Sequence, residues 1–189
     1  MNKKIEKFAK EKLGREVAAG VDHFRRVFSI CQKLAKLAKI KYDKEVLYAA
    51  CFLHDLEDES GAPHNIVAAK IAEKFLKKIK FPANKIKAVQ ETIREHIPTG
   101  KPKTKEAILL HDADLLDFLG ATGIVRLSIA SWDWMGKSSL KEFIPVYKNF
   151  RKICYKNLVL KKSKEIAKAK IKFMDSAIKE LENELSKTS

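Results

Sequence analysis

The chain has 189 residues, 46% of them hydrophobic, and a formal net charge of +15. This length and hydrophobic content exclude a disordered chain and suit one folded domain with a substantial core. Only 7 Gly and 5 Pro interrupt a sequence rich in Ala, Leu, Ile, Lys and Glu, so we expect an all-α fold.

The excess of positive charge favours anionic partners such as nucleotides, nucleic acid or acidic lipid headgroups, without distinguishing among them. Lys-Lys pairs are scattered along the chain and begin at Lys3, Lys77 and Lys161. Dispersed lysines are typical of solvated helix faces, whereas a nucleic-acid-binding protein is expected to concentrate them in one patch. We therefore interpret the lysines mainly as solvated surface and do not favour nucleic acid as the partner.

Neither the N-terminus nor the cysteines indicate export or membrane insertion. The first seven residues contain no apolar signal core, and no apolar run approaches the ~20 residues that span a bilayer. Cys31, Cys51 and Cys154 include no Cys-x-x-Cys pair, which is typical of a reducing compartment. The sequence thus predicts a cytoplasmic protein with no membrane partner.

Apolar residues recur every three or four positions through the first half of the chain, which predicts five helices. Four of the expected helices cover residues 2–13, 21–38, 66–79 and 82–96, and the third of the five follows Asp43 and contains the apolar run 46–53. Asp22 and Asp43 are candidate N-caps of the second and third helices. Pro63 suits the first turn of the fourth helix, which His64 opens.

The third helix ends in a group of ionisable residues. Its apolar run from Val46 to Leu53 has no polar face, so we expect the helix to be buried. Four ionisable residues follow within five positions: His54, Asp55, Glu57 and Asp58. Such groups at the end of a buried helix are costly unless they are paired, hydrogen-bonded or bound to a metal, which predicts a functional site.

The second half of the chain begins with an alternating Lys, Pro and Thr loop over residues 101–105, which we expect to be exposed. The helix that follows from Glu106 is apolar on nearly every side, yet it carries Asp112, Asp114 and Asp117. Further helical segments are expected over residues 124–130, 140–157 and 163–185. No repeat and no separating linker was found, so residues 1–189 are predicted to form a single domain.

Imidazole and carboxylate groups lie on or near three different predicted helices: His23, the pair His54 and Asp55, and Asp114. Neutral imidazole and carboxylate together suit a divalent ion such as Mn, Co, Ni, Fe, Zn or Mg, with water at the remaining positions. The negative end of the helix dipole also favours a cation next to His54.

Three segments in this order resemble the HD-domain superfamily of metal-dependent phosphohydrolases. They are residues 21–27 around the first histidine, 49–56 around the His-Asp pair, and 112–126 with Asp-Ala-Asp followed by Leu-Asp. The third segment is especially similar to small bacterial and archaeal HD hydrolases that include nucleotide pyrophosphohydrolases. The resemblance implies a helical bundle whose motif-bearing core covers about residues 20–126, with helices at about 138–186 packing on it.

The resemblance also implies an activity and a metal site. It assigns the metal ligands as His23, His54, Asp55 and Asp114. It implies hydrolysis of a phosphate ester or anhydride, with a nucleotide as the expected substrate and phosphate or pyrophosphate as the product. His111 and Asp112 form a second His-Asp pair, but the Ala-Ala-x-x-Leu context before His54 favours the earlier one.

Other roles are less narrowly defined by the resemblance. Asp58 and Glu57 are rival candidates for the acid that positions or deprotonates the attacking water. His64 and His96 lie roughly where two-metal members hold additional histidines, so a second metal remains open.

Substrate-binding candidates come from the basic residues near these motifs. Arg26 is the first, followed by Lys101 and Lys103, with Arg126 behind them. Arg126 could instead pair with Asp117. Three alternatives to a phosphohydrolase remain open: a degenerate nucleotide- or metal-binding sensor, a basic helical nucleic-acid-binding protein, and a diiron oxygenase.

Overall fold

The structure is a computed structural model that describes residues 3–13, 20–57, 60–133 and 135–187. Within these ranges the chain forms nine α-helices and no β-strand, which confirms the predicted all-α fold. In chain order the helices are α1 (Lys3–Leu13), α2 (Val21–Leu37), α3 (Lys44–Leu53), α4 (His64–Lys78), α5 (Ala83–Glu95), α6 (Lys105–Asp117), α7 (Gly120–Asp133), α8 (Leu140–Asn157) and α9 (Lys161–Ser186).

Side-chain caps begin three of these helices. Asp43 accepts hydrogen bonds from the backbone N–H groups of Glu45 and Val46 and so caps α3, as predicted. Thr104 caps α6 and Ser139 caps α8 in the same way. These caps fix where the chain enters helices that lie on either side of the candidate site.

Helix α2 begins at Val21 and His64 opens α4, as predicted, but the roles predicted for two residues at these starts are wrong. The N-cap of α2 is Gly20, which has no capping side chain, so Asp22 lies inside the first turn and bonds to Arg25 instead. Pro63 is the N-cap of α4 rather than a residue of its first turn. Both differences are local, because neither changes the face that the helix buries.

Helix α7 is longer than the predicted segment and includes both glycines that were expected to bound it. Gly120 has a φ of +75°, a value that glycine adopts without strain. A Cβ atom on Gly123 would lie 2.1 Å from the carbonyl oxygen of Phe118. The glycines therefore allow α7 to begin directly against the end of α6 instead of interrupting the helix.

Helix α3 lies at the centre of the core. Every residue from Val46 to Leu53 is buried, and the helix packs against α1, α2, α4, α5 and α6. Cys31 and Cys51 are buried beside each other with their Sγ atoms 3.7 Å apart, and both are free thiols. The predicted burial of this helix is confirmed, and its C-terminal end is therefore held in a fixed position.

Helix α9 covers one side of the bundle and packs mainly on α7 and α8. Its buried side chains include Ala167, Met174 and Ile178, while Phe173 is exposed. Among the described helices none combines the length and the low charge that a membrane crossing requires.

Candidate metal centre

Two histidines terminate helices in the same way. His54 follows the last residue of α3 and its Nδ1 lies 3.0 Å from the carbonyl oxygen of Cys51. His96 follows α5 and its Nδ1 lies 2.6 Å from the carbonyl oxygen of Ile93. Because a carbonyl oxygen can only accept, each Nδ1 carries the hydrogen, and a neutral ring keeps its lone pair on Nε2.

His23 is oriented by a carboxylate instead of a carbonyl. It lies buried in the first turn of α2, and its Nδ1 is 2.8 Å from Oδ2 of Asp117. The carboxylate accepts this hydrogen bond, so the lone pair of a neutral His23 also lies on Nε2. A histidine held by a carboxylate in this way is the usual arrangement of a metal-binding imidazole.

The lone pairs of His23 and His54 meet two carboxylates. The two Nε2 atoms are 3.3 Å apart. Asp55 Oδ2 lies 3.4 Å from Nε2 of His23 and 3.3 Å from that of His54. Asp114 Oδ1 lies 3.4 and 3.9 Å from the same two nitrogens, and it is buried with no hydrogen-bond partner among the described residues.

This His-Asp cluster, formed by His23, His54, Asp55 and Asp114, consists of electron-pair donors that face one another. Buried groups of this kind repel each other, and the ion pair of Asp114 Oδ1 with Arg126 Nη1, at 4.0 Å, compensates only part of their charge. A positive species between the donors would compensate the rest. Ligands that share one ion at about 2.0–2.2 Å lie roughly 3–3.5 Å apart, close to most of the separations in the cluster. The donor set and its spacing therefore fit a divalent metal ion.

The electrostatics of the cluster favour bound positive charge. Burial lowers the pKa of His23, but its hydrogen bonds to Asp117 and Asp55 outweigh burial, and the net pKa is raised. Burial raises the pKa of Asp55, but His54 and the hydrogen bonds from His23 and His96 hold it well below its ordinary value. A proton or a metal ion would therefore compete for the same place.

A second group of donors lies beside the first. The Nε2 atoms of His64 and His96 are 3.4 Å apart, and Asp55 Oδ1 lies 3.9 and 3.3 Å from them. Asp55 thus directs Oδ2 to the His-Asp cluster and Oδ1 to this pair. Together Asp55, His64 and His96 could hold an additional ion.

Asp117 connects the cluster to two arginines. Besides His23, its carboxylate accepts hydrogen bonds from Arg26 and Arg126. Burial alone raises the pKa of Asp117, but His23 and Arg26 lower it further than burial raises it. Arg126 also lies over the ring of Phe118, with 3.8 Å between its Cζ and the ring centroid.

The cluster opens into a pocket of about 410 Å³. Its lining includes three acids, Asp55, Asp114 and Glu57. The lining also combines positive and aromatic groups. It includes Lys12, Arg126, Phe118 and Phe150. The pocket thus offers metal-binding groups next to groups that suit an anionic, partly apolar ligand.

The other predicted site residues differ in whether they line this pocket. Glu57 lines it, whereas Asp58 lies outside the described residues. Arg26 bonds to Asp117 and does not line the pocket. Lys101 and Lys103 are exposed in the α5–α6 loop and do not line it either.

Among the lining residues that the sequence did not indicate are Lys12, Leu13 and Phe150. They belong to α1 and α8, outside the three motifs. Only the packing of distant helices brings them to the site, and no local sequence pattern marks them.

Asp112 faces away from the cluster. Its two oxygens accept the backbone N–H groups of Val159 and Leu160 at 2.9 and 2.8 Å, and Oδ1 also lies 3.1 Å from Nδ1 of His111. These contacts fix the turn between α8 and α9. The Asp-Ala-Asp segment therefore directs one acid to the donor cluster and the other to the start of α9.

Comparisons with known proteins relate the chain to a family and to a fold. The family model of the HD domain matches residues 20–119 of this chain. The crystal structure of Bacillus subtilis YpgQ in complex with ADP is similar over 96% of both chains, with a TM-score of 0.74 and 18% identity. An HD-superfamily hydrolase from Bacillus thuringiensis is similar over 97% of this chain and 95% of its own, with a TM-score of 0.70 and 21% identity.

A protein of unknown role from Clostridium beijerinckii is 30% identical over 125 residues, which are 62% of this chain and 73% of that protein. The similarity to the two solved structures is one of fold at these levels of identity.

Proposed function

The chain belongs to the HD-domain family, and we propose that it is a metal-dependent phosphohydrolase that acts on a phosphate ester or anhydride of a nucleotide. The observation that carries the proposal is the buried cluster of His23, His54, Asp55 and Asp114, in which lone pairs and carboxylate oxygens face one another at the floor of a pocket. We assign these four residues as metal ligands, with Mn, Co, Ni, Fe, Zn or Mg as candidate ions.

Residues around the cluster support the ligand assignment. Asp117 holds the ring of His23 through Nδ1, and the carbonyl oxygen of Cys51 holds that of His54. A bound divalent ion would lower the pKa of a bound water and polarise a phosphoryl oxygen. The His64 and His96 pair, with the free oxygen of Asp55, supports a second ion in the same pocket.

Glu57 is the described residue best placed to accept a proton from the attacking water. It lies in the pocket beside Asp55, and a carboxylate at this position can act as a general base. Asp58 remains its rival. Lys12 and Arg126, which also line the pocket, would neutralise the phosphoryl oxygens as charge develops on them.

Two observations support a nucleotide as the substrate. Phe118 and Phe150 form an aromatic side of the pocket, with ring centroids 4.9 Å apart, and aromatic faces suit a nucleobase. The similar protein YpgQ has been crystallised with ADP. In contrast, Arg26, Lys101 and Lys103 lie away from the pocket lining, so we place Lys12 and Arg126 before them in substrate binding.

The test is a substrate screen on metal-loaded protein. Each candidate metal is supplied with nucleoside mono-, di- and triphosphates, and the release of phosphate and pyrophosphate is measured. We expect release with at least one metal, and its loss together with tight metal binding in Asp55→Ala. Asp22→Ala is the matched control, because it removes an exposed carboxylate beside His23 without changing the cluster.

Three results would contradict the proposal. An Asp55→Ala variant that keeps full activity would show that the site assignment is wrong. A metal-loaded wild-type protein that releases neither product would favour a sensor that binds nucleotide without turnover. Oxygen consumption by an iron-loaded protein would favour the diiron oxygenase.

A further inference from the structure

A basic groove lies between α8 and α9 and shares no lining residue with the pocket of the His-Asp cluster. Its volume is about 520 Å³, and it lies outside the residues that match the HD-domain model. Five cationic side chains line it: Arg151, Lys152, Lys168, Lys172 and Lys179. We call this feature the α8–α9 groove.

The positive charge of this groove is largely uncompensated. Asp175 is the acid among its lining residues, and it forms an ion pair with Arg151 at 3.1 Å. The other four cations, all lysines, form no ion pair with any described residue. Lysines that look scattered in the sequence are therefore gathered on two walls of one groove, where their potentials add.

The length of the groove favours a polyanion over a single phosphate group. Lys168 and Lys179 are eleven residues apart on α9, which corresponds to about 16 Å at the helical rise of 1.5 Å per residue. One phosphate group can contact only part of this span. A chain of phosphates can contact lysines along all of it.

The lining of the groove also contains apolar side chains and one aromatic ring. Tyr155 and Ile171 are half-buried there, and no aromatic ring packs on Tyr155 among the described residues. A basic groove that contains an accessible aromatic ring is the usual arrangement for binding single-stranded nucleic acid. A membrane surface would instead require apolar side chains that project beyond the lysines.

We propose that the α8–α9 groove binds single-stranded nucleic acid, with phosphates on Lys152, Lys168, Lys172 and Lys179 and a base stacked on Tyr155. The inference is independent of the proposed hydrolase activity, because it uses no residue of the metal pocket. It identifies a second binding function on helices that follow the family motifs.

The test is fluorescence anisotropy of the full chain with a labelled oligothymidine of about twelve nucleotides, between about 50 and 200 mM salt. Each phosphate contact to a single strand contributes about 0.7 to the slope of log affinity against log salt concentration. Four contacts therefore predict that log affinity falls with a slope of about 2.8. Replacing Lys168, Lys172 and Lys179 by alanine leaves one contact, so the slope should fall to about 0.7.

The matched control changes the same net charge elsewhere. Lys7, Lys74 and Lys78 line a different surface groove, between α1 and α4, and their triple alanine variant should bind the oligonucleotide like wild type. Tyr155→Leu should weaken oligonucleotide binding about tenfold. Tyr155→Phe keeps the stacking ring and should bind the oligonucleotide like wild type. Circular dichroism of each variant checks that the fold is retained.

Three results would overturn the inference. The first is the absence of an anisotropy change at low salt. The second is equal weakening by the two triple variants, which would assign binding to the overall charge of +15. The third is groove-dependent binding to phosphatidylserine vesicles without groove-dependent binding to the oligonucleotide, which would identify a membrane-binding surface instead.

Discussion

Replacement of Asp112 by alanine should destabilise the protein strongly without affecting metal binding. The change removes the acceptor of the backbone N–H groups of Val159 and Leu160. Each hydrogen bond to a charged acceptor contributes about 1.5–3 kcal/mol, and the lost negative charge beside the start of α9 contributes about 0.3–1 kcal/mol. Water can reach the half-buried peptide groups, so we expect a loss of about 3–4 kcal/mol in the free energy of unfolding.

Urea denaturation of the metal-free protein, followed by circular dichroism, measures this loss directly. A change of this size should lower the melting temperature by about 10 °C in a chain of this length. Asp112→Asn keeps one acceptor oxygen, so its free energy of unfolding should lie between those of wild type and Asp112→Ala. Isothermal titration with Mn²⁺ should give an unchanged affinity for Asp112→Ala at a temperature where the variant is folded.

Asp114→Asn is the reciprocal control, two positions along the same helix. Asp114 Oδ1 has no hydrogen-bond partner among the described residues, and its ion pair with Arg126 is long at 4.0 Å, so its neutralisation should change the stability of the metal-free protein by less than about 1 kcal/mol. Metal binding should be lost. If Asp112→Ala instead abolishes metal binding and leaves stability intact, the division of roles between the two acids is reversed and our reasoning is refuted.

Three further predictions follow from other contacts. Asp117→Asn should weaken metal binding ten- to a hundredfold through poorer orientation of His23, and an unchanged Mn²⁺ affinity by calorimetry would argue against it. Burial raises the pKa of Tyr147 to about 12, so the folded protein resists its ionisation and loses stability as the pH rises from about 10 towards 12. Urea denaturation at about pH 9 and pH 11 should show a smaller loss for Tyr147→Phe than for wild type. Gly123→Ala should cost about 3 kcal/mol or more in thermal unfolding, because its Cβ would meet the carbonyl oxygen of Phe118, and a near-normal melting temperature would contradict this.

The sequence was sufficient to predict the helical fold and most helix bounds, because local periodicity carries that information. The predicted helix over residues 140–157 matches α8 at both ends. The predicted limits of α7 are wrong because glycine has two opposite uses. Gly120 and Gly123 are read as helix breakers from the sequence, but here they permit close contact with α6.

For the candidate site, the sequence indicated the residues with unusual chemistry but not their neighbours. The motif residues His23, His54, Asp55 and Asp114 meet in space, although their roles as ligands stay a prediction. The pocket position of Lys12 could not be predicted, because it depends on how α1 packs against the rest of the bundle. The single-domain assignment and the choice between Glu57 and Asp58 also stay predictions.

The position of the cluster residues along the chain has a consequence for stability in the cell. The four donors occupy positions 23, 54, 55 and 114, so only a chain with α2, α3 and α6 assembled presents all of them. A cation held by this cluster would bind the native state alone. At a free concentration a hundred times its dissociation constant it would add about 2.7 kcal/mol to the free energy of unfolding. Metal scarcity would then increase the unfolded fraction about a hundredfold, and with it the exposure of the chain to proteases.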